Sequence, residues 1–99
     1  MHHLFLYGRD GCHLCDEART AIAQLLAERA AAGLPVPEVV ERDIDTDPAW
    51  QRAFMASIPV VEIGGRRLEL ATSPRKLARL LSDALDAPER ADAPLPARG

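Results

Sequence analysis

Only two cysteines occur in the 99 residues, so no network of disulfides staples this fold. Long hydrophobic runs are absent: nothing approaches the ~20 apolar residues of a membrane span, and no membrane partner is expected. No basic excess marks a nucleic-acid binder. Arg and Lys are scattered among Asp and Glu, and the formal net charge is −3. Internal repeats are absent too. Met1-His2-His3 lacks the long apolar core of a secretory signal, so the expected compartment is the reducing cytosol. What is present in quantity is apolar. Hydrophobic residues make up 47% of the chain, enough for one core in one small domain.

Both cysteines fall in Cys12-His13-Leu14-Cys15. Residues three apart are neighbours on a helical turn, so these thiols can close a small disulfide. In a chain without further cysteines that closure holds no fold together, and thiol–disulfide exchange is the chemistry the spacing points to. A metal reading uses the same residues: Cys12, His13 and Cys15 offer ligands. Structural zinc needs four, and only His2 and His3 remain, on the first strand. No metal is expected.

Leu4-Phe5-Leu6-Tyr7 is apolar at every position, as in a central strand buried on both faces. Gly8-Arg9-Asp10-Gly11 follows as a loop. From Cys12 the pattern turns helical. Leu14, Ala18, Ile22, Leu25 and Leu26 give one apolar stripe, and Gly33, Pro35 and Pro37 stop the helix near residue 32. Val36 to Ile44 reads as a second strand. Asp47-Pro48 is an N-cap followed by proline at the first helical position, and Trp50, Ala53, Phe54 and Met55 form the apolar side of a short helix. Pro59 to Ile63, Gly64-Gly65 and Arg66 to Leu70 read as a β-hairpin, with Arg66-Arg67 as a solvated flank. Ser73-Pro74 starts a third helix, whose stripe is Leu77, Leu80, Leu81 and Ala84 or Leu85. Pro88, Pro94 and Pro96 place a mobile Pro/Ala-rich tail at 87–99, after a domain at 1–86.

The predicted order is β-α-β-α-β-β-α, an α/β fold. Its first unit is a right-handed parallel crossover, and the Gly-Gly turn makes the last two strands antiparallel. A mixed four-stranded sheet with helices on both faces follows. A Cys-x-x-Cys opening the first helix of such a unit is the thioredoxin-like signature.

The chemistry needs this placement. A cysteine attacks a disulfide only as thiolate, and a free thiol has a pKa of ~8.5. Unpaired N–H groups and the helix dipole favour the anion at a helix start. Cys12 sits there and is assigned as nucleophile. Cys15, one turn deeper, is the resolving thiol that breaks the mixed disulfide.

With these elements placed, the chain resembles the glutaredoxin-like branch of the thioredoxin superfamily. The resemblance spans roughly residues 3–86 and rests on Leu4-Phe5-Leu6-Tyr7, Arg9-Asp10-Gly11-Cys12-His13-Leu14-Cys15, Ser57-Ile58-Pro59 and Gly64-Gly65. It implies that Pro59 is a cis-proline facing the cysteines and that the Ile58 backbone pairs with a substrate cysteine. It implies that Arg9 contacts a glutathione carboxylate, and it places Thr72 and Ser73 where a second pair of substrate contacts lies. Two departures stand out. His13-Leu14 replaces the usual Pro-Tyr between the cysteines, and Glu69-Leu70 replaces a Gly-Gly pair. Glu69 brings a like charge and Leu70 bulk to where a glutathione backbone approaches, a loss that leaves the dithiol chemistry untouched.

The activity implied is that of a cytosolic, monomeric glutaredoxin-like oxidoreductase acting on protein disulfides or glutathione mixed disulfides. It needs no organic cofactor beyond an electron donor, glutathione or a partner reductase. Two other classes use the same face: an iron–sulfur cluster carrier with glutathione as outer ligand, and an adaptor that has lost activity.

Overall fold

The computed structural model describes residues 2–86; the tail expected at 87–99 lies outside them. Its elements are β1 (His3–Gly8), α1 (His13–Ala31), β2 (Glu38–Asp43), a 3₁₀ turn (Ile44–Thr46), α2 (Pro48–Phe54), β3 (Val60–Ile63), β4 (Arg66–Leu68) and α3 (Pro74–Leu85). The sheet runs β2-β1-β3-β4. β1 pairs parallel with β2 and antiparallel with β3, and β3 pairs antiparallel with β4. The order β-α-β-α-β-β-α and the mixed four-stranded sheet are as the caps and turns predict. No described helix is long and apolar enough to cross a membrane.

Alternation along the strands builds two cores. Leu4 and Leu6 of β1 and Val61 and Ile63 of β3 face α1 and α3, where they meet Ala18, Ile22, Leu77 and Leu81. Tyr7 and Val60 face the other way and meet Ile44 and Phe54, with Phe5, Trp50 and Ile58 at the margin. Helices therefore cover both faces. Trp50 packs α2 edge-on against Tyr7, with ring centroids 5.7 Å apart. The Tyr7 hydroxyl accepts a hydrogen bond from Arg42 at 2.9 Å and stays within this second core.

Four local expectations are corrected. β4 stops at Leu68 and not Leu70. The α1 stripe does not pass through Leu14, which is 45% exposed; the inward slot of the first turn belongs to Cys15, and the buried line continues through Ala18 and Ile22 to Arg29. β2 is shorter than Val36–Ile44. Pro35 and Pro37 have no N–H to donate, so pairing begins where the Glu38 N–H meets the His2 carbonyl at 2.9 Å. It ends because the Asp43 carboxylate accepts the Asp45 N–H at 2.9 Å and turns the chain. On α2, Phe54 is buried, but Ala53 and Met55 are exposed; seven residues make too few turns for a second inward row.

Each predicted N-cap is occupied. The Asp47 carboxylate accepts the Ala49 N–H at 2.8 Å, and the Ser73 hydroxyl accepts the Lys76 N–H at 3.2 Å. Gly64 and Gly65 both take positive φ in the hairpin turn, +57° and +78°.

Arg29 pins the far ends of α1 and α3 together. It is 8% exposed, donates to both Asp86 oxygens at 2.6 and 3.1 Å, and donates to the Pro35 carbonyl at 2.8 Å. Asp86→Asn removes the carboxylate from a buried guanidinium and is expected to cost about 2 kcal/mol at pH 7, less than a fully buried pair because Asp86 keeps some solvent contact. The Arg29 hydrogen bonds hold the Asp86 carboxyl below its ordinary range. A carboxylate shifted down stabilises the fold above the unfolded pKa, ~3.9, and loses that contribution as pH falls through the lowered value. Urea unfolding of both proteins should show the gap at pH 7 and its closure in acid.

Candidate active site

Cys12 is the N-cap of α1. Its backbone is extended (φ −87°, ψ 106°), and its Sγ accepts the Cys15 N–H at 3.0 Å. The sequence puts the chain in this state locally: Gly11, at φ +75°, turns the loop, and the helix begins at His13. The two cysteines form a disulfide. Cys12 is half-buried, whereas Cys15 is 1% exposed. The sulfur at the helix start is therefore the one partners can reach. As a thiolate it would face N–H groups and the positive end of nineteen aligned peptide dipoles.

Gly8 closes the site from beneath. A Cβ on this residue would lie 2.9 Å from the Cys15 sulfur and 3.2 Å from its Cβ. The end of β1 thus runs against the inner sulfur, a contact only glycine permits. In sequence Gly8 reads as the start of a loop; the structure makes it the last residue of β1. The one signal available was a glycine closing the apolar run shortly before the cysteine motif.

Strand register brings the proline segment to the same place. Tyr7 opposes Val60 in the β1–β3 ladder, so Pro59 comes next to Gly8, the residue that touches Cys15. The Ile58–Pro59 bond is cis, and Pro59 is buried. The Ile58 N–H is engaged by the Phe54 carbonyl at 3.1 Å. The neighbouring carbonyls hold the loop before α3: Ser57 accepts the Leu70 N–H at 2.9 Å and Pro59 the Ala71 N–H at 2.8 Å.

That loop carries Glu69-Leu70, one of the two departures from the resemblance read in the sequence. Leu70 has φ +49°, a left-handed conformation in which glycine sits without cost and leucine does not. The backbone keeps a glycine-like path while its side chain stands 57% exposed beside the proline segment. Thr72 donates its N–H to the Leu70 carbonyl at 2.8 Å, and the Ser73 hydroxyl caps α3. Both residues are half-buried at the loop's end.

Arg9 is held elsewhere. Its Nε donates to Asp45 Oδ2 at 3.2 Å and its Nη2 pairs with the other Asp45 oxygen, while Gln51 donates to the same carboxylate at 3.0 Å. The hydrogen bond to Asp45 raises the Arg9 guanidinium pKa, and the same bond lowers the Asp45 carboxyl. Arg9 thus ties the active-site loop to the 3₁₀ turn, a partnership no local sequence signal announces. His13 points into solvent with its Nε2 3.9 Å from the Glu17 carboxylate. Among the described residues no three His, Cys, Asp or Glu side chains converge on a metal position.

Residues 3–87 match the model of the glutaredoxin-like domain (DUF836). No curated protein matches the sequence. Among solved structures, the chain is similar to XcR50 from X. campestris, a structural genomics target, at 34% identity and TM-score 0.67, covering 82% of this chain and 97% of that one. A malarial protein shares the fold at 16% identity and TM-score 0.61, covering 86% of this chain and 98% of the other. The thioredoxin-like arrangement of sheet and helices is shared with these solved structures, and the chain belongs to the glutaredoxin-like domain family (DUF836).

Proposed function

We propose that the chain is a thiol–disulfide oxidoreductase whose Cys12–Cys15 couple reduces protein disulfides or glutathione mixed disulfides in the cytosol. One observation carries the reading: an accessible sulfur caps a helix N-terminus and is bonded to a second sulfur that solvent does not reach.

In the reduced protein, the Cys12 thiolate attacks a substrate sulfur and the other substrate sulfur leaves as thiolate. The Cys15 thiolate then attacks Cys12 Sγ, and the bound substrate leaves as its thiol. Two electrons pass to the substrate disulfide, and the couple ends as the disulfide seen here. The peptide N–H of Cys15 is aimed at Cys12 Sγ, where it would stabilise the thiolate that starts the first step. Gly8 lies against the inner sulfur without contributing a proton or charge. Regeneration needs a thiol donor, either glutathione or a partner reductase, and it too must enter at Cys12.

The test is a single turnover. Pre-reduced protein mixed with a glutathionylated peptide is expected to release one peptide thiol per chain and lose two hydrogens in intact mass. A protein that keeps both thiols while the peptide stays glutathionylated would refute the reading.

A further inference from the structure

A groove of about 710 Å³ starts beside the active site and runs along the seam between α1 and α3. Its near end is formed by His13 and, across the seam, Thr72 and Pro74; its floor is apolar, from Ala21 and Leu25. It continues into a second hollow of about 220 Å³ through Leu25 and Glu28, which line both. From His13 to Glu28 the first groove follows α1 for about 22 Å, at 1.5 Å of rise per residue. An extended segment of about six or seven residues fills that length, whereas a tripeptide such as glutathione covers about 10 Å.

The groove has one sign of charge. Asp16, Glu17 and Glu28 line it, and no Lys or Arg does. Asp16 is held by Arg19 at 2.7 Å, outside the groove. Glu17 has only the distant His13 imidazole, and among the described residues no side-chain hydrogen bond or ion pair engages Glu28. In the second hollow, Arg29 is neutralised by Asp86.

Resting on the oxidoreductase reading above, we propose that this groove selects the redox partner: a polypeptide whose reactive cysteine is flanked by lysine or arginine, laid along α1 from Cys12 toward Glu28. The apolar floor takes the stems of the long cationic side chains, and Glu17 and Glu28 take their heads. Length and sign both disfavour glutathione, which is short and anionic. Leu70 and Glu69, exposed on the loop that leads to Thr72, repeat that bias just outside the groove.

Two peptides test this, each carrying one cysteine in a mixed disulfide with the same chromogenic thiol, flanked by lysines in one and glutamates in the other. Pre-reduced protein is expected to release the chromophore about tenfold faster from the lysine peptide at low ionic strength, and nearly equally at 1 M salt. The double variant Glu17→Gln, Glu28→Gln should bring the two rates within about twofold of each other at low salt. Glu38→Gln with Asp83→Asn, which removes the same charge outside the groove, should keep the preference. Equal rates with wild type, or a preference that follows net charge in the control variant, overturns the proposal while leaving the oxidoreductase reading intact. Reduction of neither peptide overturns both. A truncation after Asp86 that accelerates both peptides would give the groove to the chain's own C-terminal segment, and rates per chain that fall as protein concentration rises would give it to a second copy. Either also overturns the proposal.

Discussion

Cys15→Ser is expected to convert the protein into a trap. Incubated with a disulfide substrate, it should accumulate a covalent complex that survives a non-reducing gel and dissolves with dithiothreitol. Cys12→Ser should trap no more than the variant lacking both thiols. The asymmetry follows from position. Cys12 is half-buried at the helix start, and Cys15 is 1% exposed beneath the end of β1. An incoming disulfide can align with the outer sulfur, but the inner one is buried against Gly8. Attack requires the nucleophile and both substrate sulfurs to lie in line, so burial blocks Cys15 even as a thiolate. Once Cys12 holds the substrate, only an internal thiol is near enough to release it quickly. Serine at 15 supplies none, and the complex persists. Trapping by Cys12→Ser and not by Cys15→Ser would reverse the order of attack.

The order of elements was legible because local chemistry punctuates it. Asp47-Pro48 and Ser73-Pro74 start helices wherever they stand free, and Gly64-Gly65 selects one tight turn. These signals act over three or four residues, so a single sequence carries them in full. The phase of α1 was less readable. Leu14 is the stronger apolar signal, yet Cys15 takes the inward slot, because the position of β1 over the first turn decides which side is covered. The same limit hid the pairing of Arg9 with Asp45 and of Arg29 with Asp86, whose partners lie 36 and 57 residues apart. It also hid the left-handed backbone at Leu70, since nothing in leucine announces a glycine's conformation. The disulfide at the helix start and the cis-Pro59 segment beside β1 were legible because motif and element order place them. The groove along α1 was not, because its two walls come from opposite ends of the chain.

Gly8→Ala is expected to make the disulfide easier to reduce. The added methyl would come 2.9 Å from Cys15 Sγ, closer than any carbon and sulfur rest without repulsion. In the oxidised protein that sulfur cannot swing away, because it is bonded to Cys12, which is fixed as the helix cap. In the reduced protein the Cys15 side chain is free to change rotamer and relieve the closer contact, at Sγ, leaving only the 3.2 Å approach to its Cβ. Overpacking of this kind costs about 1 to 3 kcal/mol, and here the cost falls on the oxidised state. For a two-electron couple 30 mV corresponds to ~1.4 kcal/mol, so the reduction potential should rise by about 20 to 60 mV. Equilibration of wild type and variant with the same glutathione buffer, followed by counting free thiols, measures the shift. Thermal unfolding should show the same asymmetry, with the oxidised variant losing more stability than the reduced one. An unchanged potential would mean that β1 moves to accommodate the methyl, and that the strand end does not hold the inner sulfur against its partner.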